Sequence, residues 1–199
     1  MTIRSDHSPG KVRKVRFAVA HGLLFILWCG WCGAVLADEA PWLRVDTRAG
    51  MITVLQGGRV LQTFDGISIG RGGVAESRRR GDQTTPLGEF RIAWIKERSD
   101  AFRRFYAFDF PRREDALRAW HDGRIDEAAY RSILHAHASG VPPPQDTPLG
   151  GYLGIHGLGD ADPWIHRHFH WTEGCIALTN EQIDSLGQWM ADGTRVVVE

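Results

Sequence analysis

Cysteine is scarce in this sequence and unevenly placed. Two of its three cysteines, Cys29 and Cys32, stand in an apolar segment near the N-terminus, which leaves Cys175 alone in the rest of the chain. The main part of the chain therefore has no second thiol with which to form a disulfide. A cysteine in that position is either a small core residue or a reactive group.

An excess of positive charge is also lacking. After the first 37 residues the chain carries 19 basic and 23 acidic residues, a net charge of −4. Proteins that hold nucleic acid by general electrostatics need the opposite balance, because their basic side chains neutralise phosphates. The composition therefore argues against a nucleic-acid partner.

Residues 1–37 have the pattern of a secretory signal peptide. A basic stretch ending at Arg16 is followed by the apolar segment 17–31, and small or moderate residues at 34–37 precede a polar stretch. This pattern predicts export, with cleavage after Ala37. The apolar segment is also about long enough to span a bilayer, so an uncleaved membrane anchor remains a second interpretation. In both cases we expect the protein in the periplasm or cell envelope.

The segment from residue 42 to residue 95 predicts short β-strands. Apolar and polar residues alternate, β-branched residues are frequent, and glycine-rich turns separate the segments. Strands are predicted at 43–46, 51–55, 60–64, 66–70 and 89–95. A tight turn is predicted at 85–88, because Pro86 fixes the backbone at its second position. The glycine-rich, basic segment 70–84 is expected to be a mobile surface loop with exposed arginines.

Helical patterns appear between residues 111 and 139. Helix-forming residues at 111–120 and an apolar stripe within 125–134 predict two helices. We interpret the pair as a cap inserted between strands, at about residues 100–145.

A further helix is predicted at 181–190, with an N-cap at Thr179, and a closing strand at 194–198. The predicted fold class is mainly β with inserted helices, in one domain over residues 38–199.

His156 and Cys175 stand nineteen positions apart in a polar stretch near the C-terminus. A strand at 152–155 delivers His156. A thiol attacks carbonyl groups as a thiolate, and a nearby imidazole can accept its proton. Gly174 lets the backbone turn beside the sulfur, so that the N–H groups of Gly174 and Cys175 would face a developing oxyanion. These residues predict a cysteine acyl-transfer enzyme.

Three stretches resemble motifs of the L,D-transpeptidase catalytic domain, the YkuD-like or ErfK-type family. They are G-I-S-I-G at 66–70 with T-P-L-G-E-F at 85–90, I-H-G at 155–157, and W-T-E-G-C-I-A-L at 171–178. Their order and spacing agree with the family, and the resemblance extends from Trp42 to Val198. It implies a β-sandwich with an α-helical cap insertion and the cysteine at one end of the sheets.

The resemblance also implies a reaction and the residues that perform it. Such enzymes cleave the bond between the third residue of a peptidoglycan stem and the terminal D-Ala through a cysteine thioester. The acyl group then passes to an amine of another stem, to a lipoprotein or to water. The implied roles are nucleophile for Cys175, proton donor and acceptor for His156, orientation of His156 by the carbonyl of Gly157, oxyanion hole for Gly174, and substrate binding for Trp171, Thr172, Glu173 and Ala177. The resemblance implies peptidoglycan stem peptides as partners and no metal or other cofactor.

Two positions depart from the family pattern. Ala177 stands where many relatives have an arginine, which removes a possible contact to a substrate carboxylate. Glu173 stands where many have a histidine, and its carboxylate would raise the pKa of the neighbouring thiol unless it points away. These departures leave the acyl acceptor open.

Other interpretations remain alongside this one. Hydrolysis of the same type of bond would make the chain an L,D-carboxypeptidase, an endopeptidase or an amidase. If the segment 166–170 is extended, His166, His168 and His170 lie on one side and could bind zinc together with His156 or Cys175. The recognised zinc-ligand spacings are absent, and a polar lid accounts for the same residues. A non-catalytic envelope-binding protein of this fold would have lost Cys175 or His156, and this chain retains both.

Overall fold

A computed structural model describes residues 40–98 and 102–199, together with Thr2. The predicted signal peptide or anchor at 1–37 therefore lies, apart from Thr2, outside the described residues. The strands in the described ranges are β1 Trp42–Asp46, β2 Met51–Gln56, β3 Arg59–Asp65, β4 Val74–Ala75, β5 Thr85–Pro86, β6 Gly88–Arg98, β7 Arg103–Phe108, β8 Gly154–Gly157, β9 Ile176–Leu178 and β10 Arg195–Val198. The helices are α1 Arg113–His121, α2 Glu127–Ala138, α3 Pro163–His168 and α4 Asn180–Leu186, followed by a 3-10 turn at Gly187–Trp189. None of these helices is both long enough and apolar enough to cross a membrane.

Eight of these strands form one mixed sheet in the order β3-β2-β1-β10-β6-β7-β8-β9. The pairs β1–β10 and β8–β9 are parallel, and the other neighbours are antiparallel. The prediction of a mainly β fold with inserted helices is confirmed. The short strands β4 and β5 pair separately, in parallel.

The long strand β6 joins the two halves of the sheet. Its residues 88–91 pair with β10, whereas residues 92–98 pair with β7, and the register shifts between Ile92 and Trp94. Such irregularities bend a strand and increase its twist. Buried side chains from both halves, among them Leu43 and Ile155, belong to one hydrophobic cluster. The two halves therefore cover a common core, as in a sandwich.

Two predicted boundaries near the glycine-rich loop are wrong. Residues 66–70 do not form a strand, because Ser68 and Gly70 make isolated bridges to Ala177 and Thr172. Thr85–Pro86 is the strand β5 rather than the start of a simple turn. Long-range partners override the local pattern at both places.

The cap helices α1 and α2 lie between β7 and β8 in sequence, as predicted. The insertion begins later than predicted, because residues 103–108 form β7 within the main sheet. The predicted C-terminal helix is also shorter, since α4 ends at Leu186 and a 3-10 turn follows. Its start is confirmed, because Thr179 and Gln182 form a reciprocal capping box.

A buried ion pair fixes α1 to the sheet. The side chains of Arg112 and Asp115 are 9% and 7% exposed and meet at 2.8 Å. Arg112 also donates to the carbonyls of Leu87 and Glu89 at 3.2 and 3.3 Å, and its guanidinium lies 4.5 Å from the ring centre of Phe90. The start of α1 is thereby joined to the start of β6.

The variant Asp115→Ala is expected to lower the free energy of unfolding by about 3 kcal/mol or more, because it leaves the buried guanidinium of Arg112 without its main anion. The matched control Glu114→Ala removes an exposed carboxylate 3.3 Å from the same arginine, and it is expected to cost under about 1 kcal/mol. Urea unfolding of both variants measures the difference. Equal losses would contradict the role of the pair.

Candidate active site

The parallel pairing of β8 and β9 brings His156 and Cys175 to one cavity. His156 pairs with Ala177 in this register. Cys175 stands two residues before Ala177, and side chains two apart on an extended segment share a face. His156 and Cys175 both line a cavity of about 620 Å³, a size that suits a small-molecule or peptide site.

The imidazole of His156 has a defined tautomer and orientation. Its Nδ1 donates a hydrogen bond to the carbonyl of Gly157 at 2.8 Å, and a carbonyl can only accept. The proton of the neutral ring is therefore on Nδ1, which leaves Nε2 with a lone pair. Phe102 stacks on the ring at 3.8 Å between centres, and Trp171 meets it edge-on at 5.9 Å. The ring is therefore held in place with Nε2 as its unprotonated, basic nitrogen.

Burial keeps this imidazole neutral. Desolvation lowers the pKa of His156 to about 4, the bond to the Gly157 carbonyl raises it in part, and His166 lowers it slightly. At neutral pH the side chain therefore carries no charge. A neutral ring with Nε2 open is the form that can accept a proton.

The thiol of Cys175 is also neutral in this state. Its Sγ donates a hydrogen bond to the carbonyl of Tyr152 at 3.4 Å. Burial raises the thiol pKa to about 11, whereas the N–H of Gly154 and the charge of Arg78 lower it and Glu173 raises it. The site therefore holds a thiol and an imidazole rather than a preformed thiolate–imidazolium pair.

Thr172 and Gly174 fix the turn that presents the cysteine. The hydroxyl of Thr172 donates to the carbonyl of Cys175 at 2.6 Å and accepts the N–H of Gly174 at 3.2 Å. Gly174 has φ +125°, and a Cβ there would stand 2.6 Å from the carbonyl oxygen of Thr84. The turn therefore requires glycine at this position.

This turn alters the expected oxyanion hole. The N–H of Gly174 is engaged by Thr172 and is not offered to the cavity in this state. To donate to an oxyanion, the N–H of Gly174 would have to exchange this bond for one to the substrate, so its expected role stays a prediction. For the N–H of Cys175 the same role stays a prediction.

The predicted substrate contacts divide into two groups. Trp171, Thr172 and Glu173 line the cavity together with the cysteine and the histidine. Ala177 is fully buried and exchanges backbone hydrogen bonds with Ser68. Since its side chain packs inside the fold, the prediction that Ala177 contacts the substrate is wrong.

Glu173 points away from the sulfur. Its side chain is 82% exposed and pairs with Arg71 at 3.2 Å. Its carboxylate is the smallest influence on the thiol pKa, where burial dominates. Glu173 therefore raises the pKa of the thiol less than its place two residues before Cys175 in the sequence suggests.

The histidine-rich segment is helical rather than extended. Residues 163–168 form α3, and the three histidines take separate partners. Nδ1 of His166 accepts from the indole of Trp171, Nδ1 of His168 donates to the carbonyl of Trp164, and Nδ1 of His170 accepts from the N–H of Ile69. The premise for the zinc interpretation, a shared face on an extended segment, is wrong. No set of three His, Cys, Asp or Glu side chains within the described ranges is placed to hold a metal.

Several residues around the histidine and the thiol were not identified from the sequence. Phe102, Tyr152 and Gly154 contact the histidine or the thiol, although nothing in their local pattern marks them. Arg78 was expected to be exposed in a mobile loop, but only 6% of it is exposed and it lines the cavity. Its neighbours come from distant segments, so the run of arginines around it carries no signal of burial.

The fold and this site define a mainly β domain with a cysteine and a histidine in one cavity. The family model of the L,D-transpeptidase catalytic domain, YkuD, matches residues 40–198. The chain therefore belongs to that family. A search of curated proteins found no match.

Solved structures agree on the fold. The helical cell shape determining protein Pgp2 from Campylobacter jejuni matches with a TM-score of 0.57 and 17% identity, over 82% of this chain and 48% of that one. Bd1075 from Bdellovibrio bacteriovorus matches with a TM-score of 0.50 and 15% identity, over 82% and 49%. An L,D-transpeptidase from Xylanimonas cellulosilytica matches with a TM-score of 0.46 and 16% identity, over 82% and 62%, and this weaker likeness adds nothing to the comparison of folds. The chain thus spans about half the length of the first two proteins, and at these identities the likeness shows the fold alone.

The rate at which iodoacetamide alkylates Cys175 is expected to rise about tenfold per pH unit between about pH 7 and pH 10, because only the thiolate reacts and burial holds the thiol pKa near 11. Peptide mass spectrometry resolves Cys175 from the two N-terminal cysteines, and Cys175→Ala gives the background. A plateau below about pH 8 would show a preformed ion pair and contradict the neutral site.

Thr172→Val is expected to lower stability by about 1–3 kcal/mol, because it leaves the buried N–H of Gly174 without its acceptor. The same variant should slow alkylation of Cys175, since the turn loses both of its hydroxyl bonds. Thr172→Ser keeps the hydroxyl and should behave as the parent protein in unfolding and alkylation assays. Equal behaviour of the two variants would remove Thr172 from this role.

Proposed function

We propose that this chain is a peptidoglycan L,D-transpeptidase that works through a thioester on Cys175. The observation that carries the proposal is the placement of Cys175 and His156 in one cavity, with the Nε2 lone pair of His156 left free by the bond between Nδ1 and Gly157. Membership of the L,D-transpeptidase family supports the substrate, a stem peptide of the cell wall. We assign Cys175 as nucleophile and His156 as proton acceptor and donor.

Acylation begins with rotation of the thiol away from Tyr152. Nε2 of His156 takes the proton from Sγ as the sulfur attacks the carbonyl carbon of the third stem residue. The carbonyl oxygen becomes an oxyanion, for which the N–H of Cys175 is the proposed donor. The C–N bond to D-Ala then breaks, and the imidazolium returns the proton to the departing amine. The products are free D-Ala and a thioester.

Deacylation repeats these steps with a second nucleophile. An amine of a neighbouring stem or of an envelope lipoprotein loses a proton to His156 and attacks the thioester, and the thiolate leaves and is reprotonated. Water in place of the amine gives hydrolysis, the L,D-carboxypeptidase or endopeptidase outcome. The burial that holds the pKa of His156 near 4 keeps the ring in its basic form before each attack.

The remaining cavity residues have supporting roles in this proposal. Trp171 packs against the imidazole and forms a wall for the stem peptide. Thr172 fixes the turn at Gly174, and Glu173 stands at the exposed edge, where a cationic acceptor amine would approach. We place this reaction outside the cytoplasm, after export through the segment at 1–37, because its substrate is the cell wall.

Purified protein incubated with tetrapeptide muropeptides is expected to release D-Ala and to carry a stem acyl adduct on Cys175, because the thioester forms before the acceptor attacks. A carbapenem is expected to acylate the same thiol. Intact-protein mass spectrometry detects the adducts, and chromatography of the muropeptides separates cross-linked products from hydrolysed tripeptides.

Three variants complete this experiment. Cys175→Ser should form no thioester, and His156→Gln should slow acylation by a factor of about 10²–10⁴ through loss of the proton acceptor. His135→Gln removes an exposed imidazole on α2 and should act as the parent protein. An adduct that persists unchanged in Cys175→Ser would refute the assignment, whereas tripeptide without cross-links would identify the hydrolase.

A further inference from the structure

Arg78 is a buried arginine whose hydrogen-bonding groups are incompletely used. Its side chain is 5% exposed. Nε and Nη1 are buried without a hydrogen-bond partner among the described residues, and Nη2 makes one long bond of 3.4 Å to the carbonyl of Arg79. Arg112, a second buried arginine of this chain, has acceptors for Nε, Nη1 and Nη2. The contrast shows that Arg78 is not held in the fold by a complete set of bonds.

The guanidinium of Arg78 lies against the turn that presents the cysteine. A Cβ on Gly174 would stand 2.7 Å from Nη1, and a Cβ on Gly150 would stand 3.4 Å from Nη2. Glycine at these two positions lets the charged group approach the backbone on both sides. Arg78 and Cys175 line the same cavity.

The charge of Arg78 is only partly balanced. Its ion-pair partner is Asp82, at 3.5 Å, whose side chain is 29% exposed. The ring of Phe110 has its centre 5.8 Å from the guanidinium carbon. Burial of a cation with a single, partly exposed anion as its partner is unfavourable. Such a charge stabilises any negative charge that forms nearby in the same low-dielectric site.

The other titratable groups around the cavity do not supply that balance. They come from the loops at 80–82, 145–152 and 171–175 and from β8, and comprise Arg80, Asp146, Tyr152, His156 and Glu173. Asp146 is 91% exposed and paired with Arg80, and Glu173 is 82% exposed and paired with Arg71. His156 is neutral because burial lowers its pKa. Arg78 is therefore the buried charge in this wall of the cavity.

We propose that Arg78 is a positioning residue whose incompletely balanced charge stabilises the thiolate of Cys175, and the oxyanion that follows from it, across the Gly174 turn. The effect on the thiol stands without the transpeptidase reaction, whereas the effect on acylation rests on the proposed function. Because the site contains a neutral thiol, a fixed cation in the same cavity wall lowers the cost of moving the proton to His156.

The test is the pH dependence of Cys175 alkylation by iodoacetamide in the full-length protein. Arg78→Gln is expected to raise the thiol pKa by roughly one unit. At a fixed pH below that pKa, this shift slows alkylation by about tenfold, because the thiolate fraction falls tenfold. Arg78→Lys keeps the charge and should restore much of the rate. Arg79→Gln makes the same chemical change at the exposed next residue and should leave the profile unchanged.

Asp82→Asn changes the opposite charge and predicts the opposite result. Removal of the carboxylate that pairs with Arg78 should lower the thiol pKa and speed alkylation. If the two substitutions only loosened the loop, the alkylation rate would change in the same direction in Arg78→Gln and Asp82→Asn. The sign of the change therefore separates electrostatics from structural damage.

Two results would overturn the proposed role of Arg78. A profile in Arg78→Gln that equals that of Arg79→Gln overturns it, as does slower alkylation in Asp82→Asn. If Arg78→Gln does not fold, as judged by circular dichroism, the other two variants provide the test. The alkylation rate should stay near that of the parent protein in Arg78→Lys and should rise in Asp82→Asn. Absence of D-Ala release in the parent protein, with these shifts present, would reject the transpeptidase and leave the role of Arg78 intact.

Discussion

The site depends on one constraint, the parallel pairing of β8 with β9. This register places His156 beside Ala177 and directs the preceding Cys175 toward the same cavity. Because the two strands lie at the end of the sheet, the cavity can be lined from one side by the loops that follow them. The carbonyl of Gly157, which belongs to the same strand as the histidine, then sets the tautomer. The same strand, β8, therefore supplies both the histidine and the carbonyl group that orients its ring.

Burial of that edge has chemical consequences. Desolvation moves the pKa of His156 down to about 4 and that of Cys175 up to about 11, so both groups are neutral at rest. A neutral thiol is less open to oxidants than a thiolate, since the thiolate is the reactive form. Burial of Cys175 therefore lowers the reactivity of its sulfur toward oxidants and toward carbonyl groups alike.

Patterns of short range predicted much of the fold. Alternation located β1 to β3, and the capping residues Thr179 and Gln182 located the start of α4. Such local patterns do not predict contacts between distant segments. The bridge between Ser68 and Ala177 replaces a predicted strand, and Arg78 is buried because Gly150 and Gly174 make room for it. The Cys175–His156 pair could be predicted because the chemistry of a thiol requires a proton acceptor, whereas the engaged N–H of Gly174 depends on a side-chain rotamer that the sequence does not specify.

The burial of Ala177 clarifies the departure from the family pattern at that position. Ala177 is fully buried and its backbone pairs with Ser68 and with β8, so an arginine there would start from the interior of the fold. In this chain the guanidinium of Arg78, from the loop at 76–83, lies against the cysteine turn. A charge beside the nucleophile does not need to come from a particular place in the sequence, because the field depends on distance and burial alone. The loss of one arginine motif therefore does not by itself indicate loss of the chemistry.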